Sequence, residues 1–459
     1  MRVGVPIETT GYKTVSWRLH GDASSVISGE LQVAPCHASV PQGGLDATFN
    51  PPNGYVLYNG WNKDSYLGSA IQADGKIVVS SGIEDGTDSD AVVLRYNDNG
   101  TLDQTFGTYG AAAYDSGKGD DCGRLVAIQP DGRIVLTGYT YNGTSYDLLT
   151  MRYNTDGTPD STFGTNGVVT YDSGNKDDYG RAVVVQTDGK LVVIARSSDA
   201  ITSVAMILRY NGDGTLDKTF GSNGVVTYEG GYGNDGFRGV VIQTDGKIIV
   251  SGYTNTNTGF DVLTARYGSD GSLDTTFGTG GVAIHDGGHG NDGARGVGIQ
   301  ADGKIVVSGG EYNGTDLDIL VLRYDINGNP DDTFGANGVV TYDSGNGNDL
   351  GRRFAIQRGA KIVVTGRIPN GTDYDVLVLR YNAHGGLDNT FGVNGVATFD
   401  MGKGNDYGEG VVIQTDAKIV ISGGSYNGTD YDVLVFRLLA FEEGGGGSSG
   451  GCFIETVGR

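Results

Sequence analysis

The stretch Arg152–Gly164, "RYNTDGTPDSTFG", contains Asn154-x-Asp156-Gly157-x-x-Asp160, the oxygen spacing of a calcium loop. Counterparts recur along the chain. The first position is Asn97, Asn154, Asn211, Gly268, Asp325 and Asn382. The third is Asn99, Asp156, Asp213, Asp270, Asn327 and His384. The seventh is Asp103, Asp160, Asp217, Asp274, Asp331 and Asp388, with Asp46 in a partial first copy. A hard cation needs several converging oxygens, yet Gly268 offers no side chain and His384 is a poor calcium ligand. An Asn/Asp-Gly centre supplies left-handed backbone for a turn, and an Asp before Thr-Phe can bond the amides of the bend. The stretch therefore reads as a turn required by the fold. Asp156, Asp160, Asp213 and Asp217 are its weak calcium candidates, and no other cofactor is expected.

A second series could form a binding site. "DSGKGDDCGR" and its counterparts place Asp64, Asp121, Asp178, Asp235, Asp292, Asp349 and Asp406 at one position. Three residues later stand Arg124, Arg181, Arg238, Arg295 and Arg352, with Leu67 and Glu409 breaking the series. Repetition in every copy suits a backbone clamp or ion pair. The broken symmetry suits a ligand-binding ring of Asp and Arg at a channel mouth. "GGYGND" and "GGHGND" resemble calcium-binding Gly-Asp nonapeptides, but each occurs once per copy and not in tandem.

A third series, in "YNGTDYD", ends at Asp90, Asp147, Asp261, Asp318, Asp375 and Asp432, with Val204 as the exception. Its Asn142, Asn313, Asn370 and Asn427 match an acceptor sequon and also an Asn-Gly turn. Tyr141, Tyr312, Tyr426 and Tyr431 could stack on sugars or pack over the edge of the fold. His285, His289 and Asp292 form a further metal candidate, although His285 replaces a packing Tyr of other copies. No nucleophile–base pair stands out, and Cys122 has no His in its own copy.

The elements that position these residues repeat with them. Asp-x-Thr-Phe closes at Phe49, Phe106, Phe163, Phe220, Phe277, Phe334 and Phe391, every 57 residues. Seven copies fill residues 45–440. The copy after Phe220 holds four strand-like runs, "GVVTYE", "RGVVIQ", "KIIVSG" and "DVLTARY", with Asp245-Gly246 as a hairpin turn between the second and third. No helical period is sustained. Seven such units predict an all-β, seven-bladed β-propeller with four-stranded antiparallel blades. The strand before the Asp-Gly turn is placed innermost. On that phasing the last blade lacks an outer strand, and residues 54–60, "GYVLYNG", are expected to pair beside "DVLVF" and close the ring.

The unit "AIQPDGRIVLTG…YDLLTMRYNTDGTPDSTFGTNGVVTYDSG" resembles the bacterial delta-60 repeat and is similar to NHL-type propeller repeats. The resemblance covers all seven copies. It implies a bacterial propeller, often exported or surface-associated, and brings no catalytic residues.

Composition narrows the partners. Lys and Arg total 32 against 55 Asp and Glu, a net charge of −23, which argues against nucleic acid and anionic membranes. The 81 glycines fit a chain of tight turns. Cys36, Cys122 and Cys452 have no zinc-like spacing. No apolar run is long enough to span a bilayer, and no secretory signal is visible. Residues 1–44 form an extension of unread structure. Residues 441–459 read as a Gly/Ser linker with a Cys-Phe-Ile segment. The sum is a non-enzymatic binding or structural module at the cell surface or outside the cell, presenting an acidic loop face to a protein or glycan. The alternative is a carbohydrate-active lyase or hydrolase with its site in the channel, acting with or without calcium.

Overall fold

The computed structural model describes residues 13–20, 26–33, 42–62 and 67–440, except positions 85, 87, 175, 200, 231, 257 and 258. Asp64, Cys36 and the tail with Cys452 lie outside the described residues. Two units are distinguished. In the first, β1 (Lys13–His20) pairs antiparallel with β2 (Val26–Val33), from Lys13↔Val33 to His20↔Val26. The alternation Val15, Trp17, Leu19 is the strand signal there. The second unit, Gln42–Ala440, contains seven four-stranded antiparallel sheets, the blades of a β-propeller.

Blades 1 to 6 span residues 68–114, 121–171, 177–228, 236–285, 293–342 and 350–399. In each, the strands follow chain order across the sheet. The first strand of each blade touches the first strand of the next, so these strands line the axis. The middle strands are apolar on both faces because neighbouring blades cover both. Phe260–Tyr267, "FDVLTARY", is buried from its second residue to its last. Each hydrophobic cluster accordingly spans two blades; one joins Ile194, Ile207 and Phe220 to Phe237, Ile248 and Leu263.

Blade 7 takes three strands from residues 406–438 and its fourth from Tyr55–Asn62. The latch pairs Tyr55↔Phe436, Val56↔Val435, Leu57↔Leu434 and Tyr58↔Val433, in the sheet position expected from the phasing. Phe49 and Leu67 pack with Tyr407, Val433 and Val435, sealing the joint between the last blade and the first.

A glycine follows six of the seven Phe of Asp-x-Thr-Phe, with Asn50 after Phe49, and turns the chain into the outer strand. Gly335 has φ +54°, and a Cβ there would lie 2.2 Å from the Val339 carbonyl oxygen. Its N–H donates to the His384 carbonyl of the next blade at 2.9 Å. Gly335→Ala is expected to cost about 1–3 kcal/mol, read as a lower urea midpoint with an unchanged m-value.

Candidate functional site

The opening motif lies at the joint between blades. Asp160 accepts from Thr162 N at 3.0 Å and Thr162 Oγ1 at 2.7 Å through one oxygen. Its other oxygen takes Arg152 Nε at 2.7 Å and Arg133 Nε at 3.1 Å. The Arg152 guanidinium lies over the Phe163 ring and donates to the Gly212 carbonyl of the next blade at 2.6 Å. Asp156 accepts from Thr158 N and Oγ1, and its carbonyl takes the Gly107 N–H of the preceding blade at 2.7 Å. Asp213 and Asp217 repeat the arrangement with Thr215, Thr219, Arg209 and Lys190. Burial alone would raise the Asp217 carboxyl, but bonds from Lys190 and Thr219 and the Arg209 charge outweigh it and hold it well below the usual range. Asp160 and Asp217 thus have both oxygens engaged in turn bonds and ion pairs, whereas Asp156 and Asp213 each commit one oxygen to the turn.

Carboxylates converge elsewhere. Asp261, Asp286 and Asp292 bring one oxygen each within 4.8 Å of one another, as do Asp318, Asp343 and Asp349, and Asp88, Asp90 and Asp115. His285 is drawn aside to Glu311, with Nε2 2.8 Å from Oε2. The tyrosines read as sugar platforms pack on the loops: Tyr141 lies over Gly119, Tyr312 over Gly290 and Tyr426 over Gly404.

The Asp–Arg series separates into two roles. Each described Asp is buried and clamps its own loop by accepting the amide five residues back. Asp121 takes Ser116 N, Asp178 takes Ser173 N, Asp235 takes Gly230 N, Asp349 takes Ser344 N and Asp406 takes Met401 N, all at 2.6 Å; Asp292 takes Gly287 N at 2.7 Å. Burial pushes the Asp349 carboxyl up to about 6, against the Ser344 bonds and with help from Asp343 and Asp318. An unfolded Asp ionises near pH 3.9. Between about pH 4 and 6 the folded protein therefore holds a proton that the unfolded chain has released, and stability falls as pH rises. Asp349→Asn should remove this component, so that its urea midpoint falls less than the wild type's across that window.

The arginines point to the axis. Among the described residues, Leu67, Arg124, Arg181, Arg238, Arg295, Arg353 and Glu409 line a cavity of ≈ 30 Å³. One expectation is corrected here: Arg353, not Arg352, takes the sixth blade's place. The bulge between Gly351 and Phe354 carries two arginines. Arg352 Nε is held 3.2 Å from Glu409 Oε2, and Arg353 faces the cavity where other copies have Leu125, Ala182, Gly239, Gly296 and Gly410.

Above this constriction a pocket of ≈ 370 Å³ opens across blades 3 to 6. Arg238 and Arg295 line both spaces. Arg196, Ser203, Asn234, Tyr253, Phe260, Asn291 and Leu317 complete much of the wall. Arg238 lies 5.1 Å from the centre of the Tyr253 ring, and Tyr253 meets Phe260 edge to face at 5.3 Å. Arg196 and Tyr253 belong to a series that the sequence reading passed over: Gly82, Tyr139, Arg196, Tyr253, Gly310, Arg367, Gly424. Its variability within a regular repeat was the available signal. Ring symmetry is broken here by side chains on rigid strands.

Five stretches, 72–106, 129–163, 186–220, 243–277 and 300–334, match a family model described as a domain of unknown function (DUF5122) beta-propeller. These five stretches are similar to propeller repeats of this kind. Among solved structures, an ulvan lyase of polysaccharide lyase family PL25 aligns with TM-score 0.52 at 12% identity, covering 84% of this chain and 95% of that one. The polysaccharide lyase Uly1 aligns with TM-score 0.51 at 11% identity, covering 84% and 92%. At these identities the likeness is one of fold. No curated protein matches the sequence.

Proposed function

We propose that the protein is a binding propeller whose channel mouth holds an anionic oligosaccharide through its carboxylate or sulfate groups. The observation that carries this reading is the convergence of Arg196, Arg238 and Arg295 on one pocket in a chain of net charge −23. Guanidinium forks match carboxylate and sulfate oxygens. Tyr253 and Phe260 offer apolar faces, while Ser203, Asn234 and Asn291 offer neutral hydrogen-bonding groups beside them. The volume lies within the range of small-ligand sites. On this reading an acidic loop face surrounds a basic centre, with Asp235 and Asp292 turned into their own loops by the amides of Gly230 and Gly287.

The proposal is one of binding. Asp292, the carboxylate among the described residues of the pocket, already accepts the amides of Gly287 and Tyr312. The delta-60 identity of the repeats and a setting at the cell surface belong to the same proposal. They rest on the resemblance of the repeats.

Titration calorimetry with a short polyuronate and with a neutral oligosaccharide of equal length tests the reading. The polyuronate should bind, more weakly as salt rises from 0.05 to 0.5 M, because screening shortens the reach of the arginines. Equal binding of the neutral chain would overturn it.

A further inference from the structure

The constriction below the mouth pocket poses a separate problem of charge. Five guanidiniums, those of Arg124, Arg181, Arg238, Arg295 and Arg353, share its wall with one carboxylate, Glu409. That carboxylate is also 3.2 Å from the Nε of a sixth arginine, Arg352. Guanidinium does not shed its proton at any ordinary pH. Arg353 feels the crowding: burial is the main influence lowering its proton affinity, and the charges of Arg238 and Arg352 add to it against Glu409. Its Nε is buried without a hydrogen-bond acceptor. A group of like charges in a narrow, partly desolvated space is costly unless a counter-charge enters.

The space is small. A cavity of ≈ 30 Å³ has room for about two water molecules, or for one monatomic anion in their place. A sugar ring does not fit it, so this seat is distinct from the mouth pocket and does not depend on the reading given for that pocket.

We propose that the propeller axis binds one halide-sized inorganic anion, chloride in ordinary solution, as a structural counter-ion that ties the innermost strands of blades 2 to 6 together. The anion stabilises the native ring alone, since unfolding separates the five arginines; stability must then rise with anion concentration.

Thermal unfolding of the full chain at fixed ionic strength, with gluconate replaced stepwise by chloride, tests this. A saturable rise in the melting temperature is expected, and crystals soaked in bromide should show an anomalous peak within reach of Arg238, Arg295 and Arg353. Glu409→Gln removes the competing negative charge and should lower the half-saturating chloride concentration roughly tenfold. Arg353→Gln should raise it by a similar factor. No dependence on chloride, with no bromide peak on the axis, would overturn the proposal whether or not either variant folds. A response to phosphate or sulfate without a response to halide would overturn the assignment of size.

Discussion

Replacing Arg437 by alanine is expected to destabilise the propeller by about 3–5 kcal/mol, the cost of removing one partner from a buried ion pair. Arg437 Nε is 2.8 Å from Asp46 Oδ2, and both residues are 2% exposed. The same guanidinium donates to the Asp98 carbonyl at 2.6 Å and to Thr48 Oγ1 at 3.1 Å. Asp46 and Thr48 precede the latch strand, Arg437 ends the last blade and Asp98 belongs to the first. One side chain therefore ties three parts of the closure. Without it, Asp46 keeps Lys418 at 3.4 Å as its one ion-pair partner among the described residues. Joint replacement, Arg437→Met with Asp46→Leu, should recover most of the loss, because no buried charge is then left alone. Urea unfolding of the three proteins checks this. A loss below about 1 kcal/mol in the single variant would show that the latch strand closes the ring without the ion pair.

The second large effect concerns the mouth pocket. Arg196→Ala is expected to weaken the acidic oligosaccharide by about 2 kcal/mol, roughly 30-fold, at low salt. Arg196 lines the mouth pocket but not the axial cavity, and its Nε is buried without a hydrogen-bond acceptor. Its replacement should leave the chloride response of the melting temperature unchanged, which separates the two sites. Calorimetry in 0.05 M salt is the measurement. A change of less than about threefold would remove Arg196 from the site.

The architecture was legible because its causes are local and repeated. The 57-residue interval, the Asp-Gly turn and the two-sided apolar strand "DVLTARY" point to one blade, and the missing outer strand of the last blade points to "GYVLY". The Asp of Asp-x-Thr-Phe was legible as a turn residue for the same reason. Its partners were less so. Arg152 stands eight residues before Asp160, and Arg133 lies in the hairpin turn just before another strand, Ile134–Tyr141, so only the folded sheet brings them together. The channel was half legible. Repetition marked Asp121 and Arg124 as a pair, but their side chains diverge, because a bulge beside Arg124 turns it to the axis while Asp121 reaches back to Ser116. The deviations Arg196 and Tyr253 share the mouth pocket with the repeated Arg238 and Arg295, and the deviation Arg353 joins the axial cavity. Agreement between copies marked the arginine ring, and divergence marked what makes it asymmetric.

The most direct measurement is calorimetric titration of the wild-type protein with an oligogalacturonate and with its methyl ester. Esterification removes the charge and keeps the sugar. The arginine-lined mouth predicts binding of the acid at least tenfold tighter than of the ester; equal affinity, or binding of neither, would contradict it.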